Sequence, residues 1–138
     1  MGISGFVALR IHSNKLDFDD ISNNIKLQPT YICHKGDIIT NRYKFGDKVQ
    51  KEDRWLYEVK FDDSQDLDDV VNEFILKLSN CRNYIKMLYK KYYVRLWCDI
   101  YSDLAQFGIS FTPDTIQKIA ELGIGVDIQM YSYGELSQ

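Results

Sequence analysis

The sequence predicts an α+β domain: a ferredoxin-like β-α-β-β-α-β core extended by a further β-α-β, its mostly antiparallel sheet carrying the helices on one face. Three observations lead there. Every second residue is apolar along Phe6 to Ile11, Trp55 to Phe61, Val94 to Tyr101 and Val126 to Tyr131, the period of half-buried strands. Between these runs apolar residues recur every three or four positions, as they do in helices with one buried stripe. The order in which the two periods follow one another is that of interleaved βαβ units.

The elements follow in order. Phe6 to Ile11 sets Val7, Leu9 and Ile11 on a core face and Phe6, Ala8, Arg10 and His12 on the other. Asp17 is an N-cap with Asp20 three residues on, and Phe18, Ile21 and Ile25 mark a short helix that ends before Pro29. Tyr31, Ile32 and Cys33 favour an extended chain, so a second strand runs from about Thr30 to His34. Gly36-Asp37 closes it and opens a polar loop too long for a hairpin turn, within which Ile38 to Thr40 or Tyr43 to Phe45 supply local pairing. Trp55, Tyr57, Val59 and Phe61 share one face of the third strand.

From Leu67 to Tyr92 the apolar positions describe an amphipathic helix, with Ser79-Asn80 as the point where it kinks or divides. The next strand separates Val94, Leu96, Cys98 and Ile100 from Arg95, Trp97, Asp99 and Tyr101. Phe107 to Phe111 reads as a short strand. Thr112 then caps a helix that has Pro113 at its first position and Gly123 just past its last turn. In the last strand Val126, Ile128 and Met130 point inward, and Asp127, Gln129 and Tyr131 outward.

Composition bounds the rest. A chain of 138 residues, 45% apolar and 27% charged, is expected to be a single globular domain, residues 1–138. A net charge of -3 and a pI near 5.3 argue against nucleic acid, whose phosphates demand a cationic footprint. No apolar run approaches the roughly 20 residues of a membrane span, and no leader pattern opens the chain, so a cytoplasmic protein without membrane contact is expected. Cys33, Cys81 and Cys98, odd in number and set among apolar residues, read as small buried hydrophobes in a reducing compartment. The acidic block from Asp62 to Glu73 and the basic one from Arg82 to Arg95 fall at the two ends of the long helical stretch, where the helix dipole favours them.

LQPTYICHKGD, Trp55 and FTPDTIQKIAELGIGVDIQMY together resemble a family of small bacterial proteins known as domain of unknown function 4279. The resemblance rests on Leu27, Pro29, Thr30, Lys35, Gly36, Asp37, Trp55, Thr112, Pro113, Asp114, Leu122 and Gly123, and covers nearly the whole chain. It implies an α+β fold and assigns no activity.

No residue set amounts to a known reaction, so no catalytic residue, metal or cofactor is expected. His12 and His34 lack the short spacing of zinc ligands, and Cys33 and His34, as strand neighbours, point to opposite faces. Gly123-Ile124-Gly125 follows a helix instead of preceding one, which makes it a C-cap and not a phosphate loop. Asp62-Asp63 and Asp68-Asp69 read as solvated capping at a helix entrance.

The stronger clue is the sheet face opposite the one made by Leu9, Leu96 and Ile128. It displays Arg10, His12, Arg95, Trp97, Asp99, Tyr101, Asp127, Gln129 and Tyr131, a mixture of aromatic, Arg and hydrogen-bonding groups enriched at protein interfaces. The expected function is a non-catalytic protein-binding domain of the immunity type, which masks a toxin; a second copy of the chain is the other partner considered. The alternative is a small-ligand sensor or enzyme with a pocket built by His34, Lys35, Asp37 and Arg42.

Overall fold

The computed structural model describes residues 2–39 and 48–135; Arg42, Tyr43 and Phe45 lie outside them. The first strand, β1 (Ile3–Ser13), leads through α1 (Phe18–Ile25) to the short β2 (Tyr31–Cys33). β3 (Ile38–Ile39) and β4 (Lys48–Val49) pair with each other across the polar loop. After them come β5 (Asp53–Phe61), α2 (Leu67–Lys77), α3 (Arg82–Lys91), β6 (Tyr93–Leu104), α4 (Pro113–Leu122) and β7 (Gly125–Glu135). A 3-10 turn at Ser79–Cys81 divides α2 from α3, at the expected break.

The main sheet has the order β2-β5-β1-β6-β7, antiparallel except between β6 and β7. Its first four strands form a ferredoxin-like core. The unit from β1 to β2 straddles β5, and the unit from β5 to β6 straddles β1. β6 then begins a parallel crossover through α4 to β7.

Phe107 to Phe111, expected as a strand, forms no ladder. Phe107, Ile109 and Phe111 pack half-buried against the core, so their alternation records one-sided burial of a connecting segment without pairing. The extension beyond the ferredoxin-like core is therefore helix and strand only.

Local chemistry fixes the ends of the helices. Asp17 Oδ1 accepts the N–H of Asp20 at 3.1 Å, Thr112 Oγ1 accepts that of Thr115, and Gly123 closes α4 with a left-handed φ of 74°. The core lies between the helices and one sheet face, with Val7, Leu9, Leu96, Phe74, Ile85 and Leu122 among its fully buried members. Trp55 is completely buried and its indole N–H donates to Ser22 Oγ at 3.0 Å, so the largest core side chain leaves no polar atom unpaired. Burial pushes the Cys98 thiol up to about 12 and raises that of Cys81, as expected of small hydrophobes; Cys33 is only half-buried.

Two further expectations change. Asp68 is not a solvated cap: it is buried and accepts the backbone N–H of Thr112 at 2.8 Å, tying the start of α2 to the start of α4. Val126, Ile128 and Met130 do lie on the helix side of β7, yet they are 37%, 38% and 48% exposed. α4 packs against α2 and α3 and leaves this outer row bare. Among the described residues no helix is long and apolar enough to cross a membrane.

Candidate binding face

The sheet face away from the helices is formed by the other half of each alternation. The registers place Arg10 between Leu56 and Arg95, Ala8 between Glu58 and Trp97, Asp99 between Phe6 and Gln129, and Tyr101 between Ser4 and Tyr131. All nine of the residues expected on this face, Arg10, His12, Arg95, Trp97, Asp99, Tyr101, Asp127, Gln129 and Tyr131, therefore share one surface.

Arg10 and Arg95 sit directly opposite each other, an arrangement that costs energy between like charges unless the two heads diverge. They do. The Arg10 guanidinium lies 4.0 Å from the centre of the Trp97 ring and reaches Asp99 Oδ2 at 3.4 Å, while the Trp97 indole N–H donates to Asp99 Oδ1 at 2.8 Å. Arg95 turns the other way, over the rings of Tyr93 and Tyr89 and toward Asp127, whose Oδ2 also accepts from the Tyr93 hydroxyl. Ala8 leaves room beneath the indole and is only 2% exposed. Tyr101 and Tyr131 stack with ring centres 4.8 Å apart. Cation–π contact, ion pair and hydrogen bond thus lock Trp97 into one orientation, the kind of anchor that spends little entropy on binding.

Charge is held here under partial burial. Burial lowers the pKa of Arg10 against the opposing pull of Asp99. Burial, with Arg54 and Arg10 nearby, lowers that of His12 from 6.5 to about 4, so the imidazole is neutral at pH 7 and rests against the Tyr93 ring at 5.0 Å. Burial raises the pKa of Glu58. Tyr93, Arg54 and Glu58 belong to this face and were not singled out from the sequence. For Arg54 and Glu58 the signal lies in the β5 alternation, which sets Glu58 opposite the core residues, and for Tyr93 in its pairing with His12.

Among the described residues, His34 and Lys35 of the alternative site line different depressions. Asp37 closes a turn, its carboxylate accepting the His34 N–H at 2.9 Å and its own N–H donating to the His34 carbonyl at 3.0 Å. The His34 ring meets Phe18 edge-on and lines a depression beside the start of α1. Lys35 lines a different one, with Lys48 and Lys51 around it, and its backbone N–H donates to Asp53. Arg42 is outside the described residues. Asp53 also accepts the N–H of Leu16 at 2.9 Å, and these two backbone donors lower its pKa.

The residues that carry the family resemblance have structural duties. Thr30 Oγ1 accepts the Glu58 N–H at 2.9 Å and pins β2 to β5. Asp114 takes Lys118 at 3.1 Å and the side chain of Asn72, and Thr112 is held by Asp68. Lys35 to Asp37 forms the turn already described, and Trp55 fills the core. They mark the fold; the polar sheet face is a separate set. Asp66, Asp68 and Asp69 bring carboxylate oxygens within 4.8 Å of one another at the entrance to α2, and Asp68 is already committed to Thr112.

The profile of the family described as "Domain of unknown function (DUF4279)" matches residues 3–133. Neither a curated protein nor a solved structure matches the chain.

Proposed function

We propose, for a chain that belongs to the DUF4279 family, a non-catalytic protein-binding role in which the open sheet face docks another protein. The observation that carries this reading is the Arg10–Trp97–Asp99 lock at the middle of a face that no described helix covers. Arg and aromatic side chains held rigid and half-buried are the residues that dominate protein interfaces. The face is broad, whereas small-ligand sites are concave, and the grooves beside His34 and Lys35 do not converge.

Within that class we favour an immunity-type protein that masks a toxin. The acidic chain and the absence of an assembled catalytic set among the described residues support it. Three free cysteines, two of them buried, fit a place in the reducing cytoplasm. The test is capture from cells that make the protein, with wild type and Trp97→Ala side by side and read by mass spectrometry. One stoichiometric protein retained by wild type and lost by the variant supports docking on this face. Equal retention by both removes the face from the account. Recovery of bait alone directs the search to a metabolite, for which thermal shift is the readout: a ligand at a hundred times its Kd adds about 2.7 kcal/mol.

A further inference from the structure

We propose that β7 is a self-pairing edge: two copies of the chain join their β7 strands antiparallel about a two-fold axis at Ile128 and extend one sheet into the other. The proposal concerns the edge of the sheet and does not depend on what the open face binds.

The two edges of the sheet differ. β2 has three residues and follows closely on Pro29, so little of it is open to pairing. β7 has eleven residues, with no Pro, Lys or Arg, and along Gly125 to Tyr131 no strand of the described residues lies on its outer side. Its one charged residue before the final Glu135 is Asp127, already held by Tyr93 and Arg95. Edges of soluble sheets are ordinarily blunted by shortness, charge or bulges. Here the one register shift lies beyond Ser102 and leaves Gly125 to Ser132 regular.

What fits that edge is another copy of it. About a two-fold at Ile128, Val126 faces Met130 of the second copy, Ile128 faces itself, and Met130 faces Val126. This covers the exposed apolar row with its own counterpart. On the other side of the strand Asp127 faces Gln129, an acceptor opposite an amide donor, and Tyr131 faces Gly125, which has no side chain of its own and is overlaid by that of Arg95. No like charges meet. An antiparallel pair over this length exchanges roughly one backbone hydrogen bond per residue, which approaches the about ten of an ordinary interface. The joined sheets carry two copies of the Arg and Trp face side by side.

Light scattering coupled to size exclusion tests this. At high micromolar concentration wild type is expected at twice 16.2 kDa. Val126→Lys and Met130→Glu, each on the exposed row, are expected to be monomers alone. An equimolar mixture of the two is expected to dimerise, because the new cation of one chain faces the new carboxylate of the other. Gln129→Glu, an exposed and nearly isosteric change, sets a carboxylate against Asp127 twice per dimer. It should weaken the dimer by about tenfold and serves if either charged variant loses its circular dichroism spectrum. A monomeric wild type, a species larger than the dimer, a mixture that stays monomeric while both chains are folded, or a dimer indifferent to Gln129→Glu overturns the proposal.

Discussion

At the scale of the residue, His12 is held neutral next to two arginines, and that has a sign in pH. Its folded pKa, about 4, lies below its ordinary 6.5, so between those values the unfolded chain binds a proton that the folded chain does not. Stability therefore falls as pH drops from 6.5 toward 4, and the loss is complete below that window. Denaturant midpoints of wild type should decline across it, while His12→Phe, which keeps a ring against Tyr93, should lose most of that slope; parallel curves would contradict the assignment. Asp53 works in the opposite charge sense, its backbone partners keeping the carboxylate ionised. Asp53→Ala leaves the Leu16 and Lys35 N–H groups without their acceptor and should cost about 2 kcal/mol in urea unfolding. Membership of the open face was legible in the sequence because alternation alone decides it. The lock of Arg10 on Trp97 was not, since it depends on the register of β1 against β6, and registers come from the whole sheet.

At the scale of the element, short-range chemistry is what the sequence displays most directly. Asp17, Thr112, Pro113 and Gly123 act within a turn of their helices, and Ser79-Asn80 breaks the long helical stretch where its sequence suggested. Thr112→Ala should cost about 1 kcal/mol, read from thermal or urea unfolding, because the hydroxyl both caps α4 and donates to Asp68. The failures were of pairing and cover. Phe107 to Phe111 alternates like a strand without a partner, and Val126 to Met130 alternates like a covered strand without a helix above it. Gly5 shows how closely two elements approach: its φ is 150°, and a Cβ there would stand 1.8 Å from the carbonyl oxygen of Asp99. Gly5→Ala must push β1 from β6 and should cost about 3 kcal/mol or more, measured as a fall in the urea midpoint.

At the scale of the whole molecule, the order of elements was enough to foresee a ferredoxin-like core, because interleaved βαβ units have few ways to share one sheet. It was not enough to foresee which strand would be left bare, a matter of where α4 comes to rest. The helices close one face and leave the other to Arg10, Trp97, Asp99 and the stacked Tyr101 and Tyr131, on which the functional reading stands. The most direct measurement is calorimetric titration of the captured partner into wild type, Trp97→Ala and Ile116→Ser, the last an exposed change on the helix side. With all three folded, Trp97→Ala should lose about 2 kcal/mol, roughly thirtyfold in Kd, and Ile116→Ser nothing. Wild-type affinity in Trp97→Ala, or a loss in Ile116→Ser alone, would contradict docking on the open sheet.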